Sequence, residues 1–185
     1  MITESRYWKK PLLSGAKVIR KYMGFEHISE AQFARIEREI FIGFYSIRKL
    51  LDAPGKVCTE TRNMKVALMH YNKRADQPIV DWYNRDEIWQ LYDLDNPKQE
   101  FRDLLYVAHR MVHSFIFILS GDDSGHGTFF TSDRDKDKRL NFITTDEIVR
   151  IFEVVGNDYP TLFHAWRDEV TGEMKWSVPT KETPR

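Results

Sequence analysis

The chain has 185 residues, with 28 basic and 28 acidic side chains, six histidines and a single cysteine. That length suits one domain, and 42% hydrophobic residues with 14% aromatics is too apolar for a disordered chain. Zero net charge argues against wholesale nucleic-acid binding or a polybasic membrane anchor, and the lone Cys58 excludes a disulfide framework and paired-cysteine zinc sites.

The N-terminal stretch Met1 to Lys10 has no apolar core followed by a small-residue cleavage site. The first strong helix signal comes at Ser29, where Ser-Glu-Ala-Gln has the spacing of a capping box. Phe33, Ile36, Ile40, Phe44, Ile47 and Leu51 then recur every three or four residues as one apolar stripe. Phe41, Ile42 and Tyr45 widen it, enough to contact a second neighbour or a partner chain, and Pro54-Gly55 ends the helix. Met64 to Tyr71 reads as a strand, and Asp81 to Tyr92 as a short helix with a loop. A second long helix is expected from Asn96-Pro97, an N-cap residue with Pro at the first helical position, as far as Ser120-Gly121. Within it lies the most apolar run, Met111 to Leu119, far short of the roughly 20 residues that span a bilayer.

After Gly121 the period changes. Gly127 to Thr131 and Arg139 to Ile143 read as a hairpin closed by a charged loop. Thr145-Asp146-Glu147 starts a short helix, and Leu162 to Trp166 with Met174 to Val178 form a second hairpin. The expected class is α+β: two long antiparallel helices forming a helical body, C-terminal β-hairpins and a further short helix, with residues 1–179 as one domain and 180–185 as a flexible tail. A cytoplasmic protein without a membrane segment is the expectation.

Chemistry concentrates on the second helix. On helical geometry Arg102, Tyr106, His109, His113 and Phe117 share one face, with His109 and His113 at a metal-compatible spacing of four. No acidic residue follows His109 as a zincin would need, and further ligands are not evident, so no metal or cofactor is assigned. Asp133, Asp135 and Asp137 alternate like the start of an EF-hand loop, but Lys138 replaces its Gly and Thr144 its closing Glu. Trp82, Tyr83, Trp89 and Tyr92, with Arg85 nearby, can line a partner interface, stack bases or cover the core. Cys58 has no visible histidine partner.

The run Arg102-Asp103-Leu104-Leu105-Tyr106-Val107-Ala108-His109 has an Arg, a polar residue, and a His after a gap of six. It resembles the R-x(4–6)-H signature of HEPN domains, a family of small helical bundles common in toxin–antitoxin and phage-defence systems, many of them dimeric metal-independent RNases. The resemblance covers the two long helices and not the hairpins. It implies that Arg102, beside Asp103, stabilises phosphate charge, and that His109 transfers a proton at the 2′-hydroxyl or the leaving oxygen. The gap is at the long end of the pattern, and Ala108 stands five residues before His113.

Two classes of function therefore stand. The first is a prokaryotic, non-catalytic interaction or accessory protein that assembles as a homodimer or with a protein partner, using its long helices. The second is a HEPN-like RNase or RNA-binding protein. Arg102, Asp103 and His109 are the catalytic candidates, and His113, Tyr106, Trp82 and Trp89 the binding candidates.

Overall fold

Ser29 opens the longest helix with the reciprocal cap its sequence implies. Its Oγ accepts from the Gln32 N–H at 3.3 Å, and Gln32 Oε1 accepts from the Ser29 N–H at 2.7 Å. The computed structural model describes residues 2–22, 29–122 and 125–179, so the expected tail 180–185 lies outside the described residues. In chain order the elements are α1 (Arg6–Tyr22), α2 (Glu30–Asp52), α3 (Thr59–Arg62), β1 (Lys65–Asn72), α4 (Ile88–Leu91), β2 (Lys98–Asp103) and α5 (Leu104–Val112). They continue with β3 (Ser114–Asp122), β4 (Gly125–Ser132), β5 (Arg139–Thr144), α6 (Thr145–Asn157), β6 (His164–Arg167) and β7 (Met174–Ser177).

Five strands form one antiparallel sheet in the order β2-β1-β5-β4-β3, and β6 pairs with β7 separately. On one face Val66, Leu68, Phe130 and Ile143 join a core with side chains of α1, α2, α5 and α6. Phe44 of α2 meets Phe152 of α6 edge to face, centroids 5.6 Å apart, and each buried ring contributes about 1.5–3 kcal/mol. Gly43 makes this crossing feasible, because a Cβ there would overlap the Phe152 ring. The opposite face carries a smaller core in which Val80, Ile88, Leu91 and Tyr92 cover Ile116, Phe129 and Leu140. The chain is thus α+β. No helix among the described residues is long and apolar enough to cross a membrane.

The second long helix is not there. Residues 98–122 are strand, helix and strand, and the longest helices are α1 and α2. Two signals compete in that stretch. Leu104, Val107, Ala108 and Met111 keep a helical stripe and are buried in α5. Before them, Lys98, Glu100 and Arg102 alternate with Gln99, Phe101 and Asp103 at the period of a strand; after them, β-branched and aromatic residues (Phe115 to Ile118) favour a sheet. The expected hairpin of Gly127–Thr131 and Arg139–Ile143 does pair antiparallel, but as β4 and β5 inside the main sheet and not as an appendage. The α6 cap is Thr144, whose side chain accepts from the Glu147 N–H at 3.2 Å. Helix α1 is weakly signalled in the sequence, because Pro11 lies inside it and Gly15 is among its buried positions beside Leu12, Ala16 and Ile19.

Candidate functional site

Helix α5 divides the candidate residues between its two sides. Arg102 is on β2 and not on the helix, Asp103 is the N-cap of α5, Tyr106 and His109 lie within α5, and His113 is its C-cap. The shared helical face expected for Arg102 and His109 therefore does not exist.

On the sheet side, the register places Lys98, Glu100 and Arg102 of β2 on the same face as His70, Leu68 and Val66 of β1. Glu100 is the centre of a network there. Arg102 Nη2 donates to its Oε2 at 2.8 Å, and Arg139 Nη2 donates to its Oε1. Arg139 Nε also donates to Asn141 Oδ1 at 3.1 Å, and the fully buried Asn141 passes its own N–H to the Phe130 carbonyl at 3.3 Å. Burial pushes the Glu100 carboxyl up, but the hydrogen bonds from Arg102 and Arg139 outweigh it and hold the pKa below the usual range. His70 Nδ1 sits 3.6 Å from Glu100 Oε2, too far for a hydrogen bond. Its pKa is lowered, first by burial and then by Arg139. Arg102 and Arg110 both lie within cation–π range of the Tyr106 ring, at 5.1 and 4.7 Å. Arg110 Nε in turn donates to Asp135, which also accepts from Ser132 Oγ at 3.3 Å.

On the other side, His109 and Arg110 form a ridge between two open clefts. One, of about 470 Å³, is lined by Arg62, Asp103, Tyr106, His109 and Arg110 among others. The second, of about 270 Å³, adds His113, Asp133 and Arg134 to the ridge. Arg102 lies outside both. The His109 pKa is lowered by burial and then by Arg48, which favours the neutral imidazole. Arg48 Nη1 lies 2.9 Å from His113 Nε2, so that nitrogen faces a guanidinium and not a free ligand position. The His109 and His113 rings are 6.5 Å apart, and among the described residues no group of three or more His, Cys, Asp or Glu could hold a metal ion. The aspartates of the 133–137 loop are engaged too: Asp133 pairs with Lys136, Asp135 with Arg110, and Asp137 accepts from the Val80 N–H at 2.8 Å.

Trp82 and Trp89 are elsewhere, on the segment covering the sheet face away from the helices. Ile79, Trp82, Tyr83 and Trp89 are 74%, 69%, 97% and 64% exposed, while Tyr92 is fully buried. The segment is tethered: Asn84 Oδ1 accepts from the Asp81 N–H at 2.9 Å, Asp81 accepts from the Tyr83 N–H at 2.8 Å, and the Tyr92 hydroxyl donates to the Lys136 carbonyl. Trp82 leans on Phe115, centroids 5.1 Å apart, and carries the Arg85 guanidinium at 4.3 Å.

Sequence reasoning missed Glu100, His70, Arg139 and Asn141. The period-two charges Lys98, Glu100 and Arg102 were a visible signal, but the Arg139–Glu100 contact spans 39 residues and no local spacing announces it. Comparison of the chain with protein-family models, with curated proteins and with solved structures returns no match.

Proposed function

We propose that this protein works by association and not by chemistry: a non-catalytic interaction or accessory protein of the prokaryotic cytoplasm. The observation that carries this reading is the exposed group Ile79, Trp82, Tyr83 and Trp89, held on a tethered segment. Large aromatics on a pre-ordered surface gain contact area on docking at small entropic cost, which is the character of interface anchors. Two further features agree with it. Arg102 is bound to Glu100 and lines neither cleft that His109 borders, and the Cys58 thiol, pushed up to about 12 by burial and then by Asp158, is no nucleophile at neutral pH. Affinity capture with in-cell cross-linking of the wild type beside W82S/W89S tests this. A protein recovered with the wild type and lost from the double variant is the expected result; identical recovery from both overturns it.

A second reading, an RNA-binding protein or HEPN-like RNase, is favoured by one observation: His109, Arg110 and Arg134 line one open cleft of about 270 Å³, bringing two guanidinium groups and an imidazole to the same surface. A short RNA incubated with the protein in EDTA checks it. Binding that weakens in R134A, with cleavage lost in H109A, supports the reading; no binding by the wild type removes it.

A further inference from the structure

The two edges of the main sheet are built differently. Edge strand β2 is guarded: Lys98, Glu100, Arg102 and Asp103 are four charges in six residues, which discourage pairing with another strand. Edge strand β3 has no such protection. From Ser114 to Gly121 it reads Ser-Phe-Ile-Phe-Ile-Leu-Ser-Gly, with no charge and no proline. A bulge lies between Ser114 and Ile116, and Trp82 with Lys136 covers Phe115, so that end is partly closed. Beyond it, Ile116 to Gly121 pair with β4 on one side, and among the described residues no backbone hydrogen bond joins their outer side to another segment. Their side chains feed both cores: Phe117 and Leu119 pack with the helices, and Ile116 and Ile118 with the aromatic segment.

We infer that the outer edge of β3 is a homodimer interface, with a second copy of this chain adding its own β3 antiparallel to the first. The occupant follows from the strand's self-complementarity. About a two-fold axis at Ile118, antiparallel pairing of the open stretch sets Ile118 opposite itself and Phe117 opposite Leu119 of the other copy, apolar against apolar on each face, with Ile116 opposite Ser120. The sheet becomes continuous across the axis, and both apolar layers continue with it. This interface differs from the helix-mediated assembly expected from the sequence, and it does not depend on what docks at Trp82 and Trp89.

Sedimentation velocity over a concentration series, with hydrogen exchange of the β3 amides, tests the inference. The wild type is expected to dimerise and to slow exchange across Ile116–Ser120 as concentration rises. Ile118→Lys and, separately, Ser120→Lys place a charge on the pairing edge, and each should leave a monomer over the range in which the wild type dimerises. Ser120 lies outside both cores, so S120K carries the test alone if I118K fails to fold. F101K, on the exposed face of guarded β2, should dimerise like the wild type. A wild type that stays monomeric, an S120K that dimerises normally, or loss of the dimer in F101K as well overturns it.

Discussion

The two sides of α5 hold the same kinds of residue in opposite states. On the sheet side, Glu100 accepts from two guanidinium groups, and Arg139 also serves Asn141. On the solvent side, His109 and Arg134 border open clefts, and Asp103 pairs with Lys65 in an exposed ion pair. An arginine and a histidine read alike in a sequence; the difference is which partners the fold has already supplied. A side chain whose donors are taken stabilises the fold, while one facing water with donors unengaged remains available to a ligand. Arg102, the residue the sequence offers as catalytic, belongs to the first kind.

Removing the centre of the engaged side should have the largest effect. Glu100→Gln keeps the shape but leaves Arg102 and Arg139 without their counter-charge, and its amide presents a donor to one of them. A loss of about 2–3 kcal/mol in urea denaturation is expected, below the full cost for a deep pair because Arg102 is partly solvated. A loss under about 0.5 kcal/mol would mean that the two sides of α5 are not different in kind. Asp135→Asn should cost less, about 1 kcal/mol, since it weakens a single charge-assisted bond to Arg110 and keeps an acceptor for Ser132 Oγ.

Legibility in the sequence followed the range of the interaction. Ser29 and Gln32 meet within one turn, and their capping box was readable because both partners lie within four residues. Strand β1 and the antiparallel pairing of β4 with β5 were likewise local matters of period and turn. The stretch 98–122 failed because its helical stripe is correct only over α5, and the sheet, a non-local structure, claims both flanks. The site failed for the same reason. His70, Glu100 and Arg139 come from three strands, and only the register of β2 on β1 and of β1 on β5 brings them together. Trp82 and Trp89 were visible as a cluster, but their exposure against the burial of Tyr92 depends on how the segment lies on Phe115 and Leu140.

The engaged side should also titrate. His70 faces Glu100, Arg139, Lys98 and Arg102, and its pKa is lowered in the folded chain from 6.5. The unfolded chain then binds the proton more readily, so stability is full above pH 6.5 and falls as pH drops from there towards the lowered folded value. Glu100, also lowered, adds its own loss further down, as pH falls below 4.5. His70→Asn should flatten the stability profile just below pH 6.5 and leave the lower limb, below pH 4.5, in place. His109 is shifted in the same direction, so H109N serves as the comparison for how much of that slope belongs to each side.

The smallest stability effect belongs to the solvent side, and its smallness is the test. His109 makes a ring contact with His113 and lines both clefts, but it anchors no buried group. Replacing it by alanine removes half-buried contact area and gains roughly 0.5 kcal/mol of helix propensity, so the net change in stability should be near zero. Were His109→Ala to cost as much as Glu100→Gln, the imidazole would be a structural element, and the ridge would lose its claim as a binding surface. A neutral His109→Ala leaves the fold intact, and any change in ligand or RNA binding can then be read as a property of the cleft itself. The same reasoning applies to Arg134→Ala, whose side chain borders the second cleft from an exposed loop position.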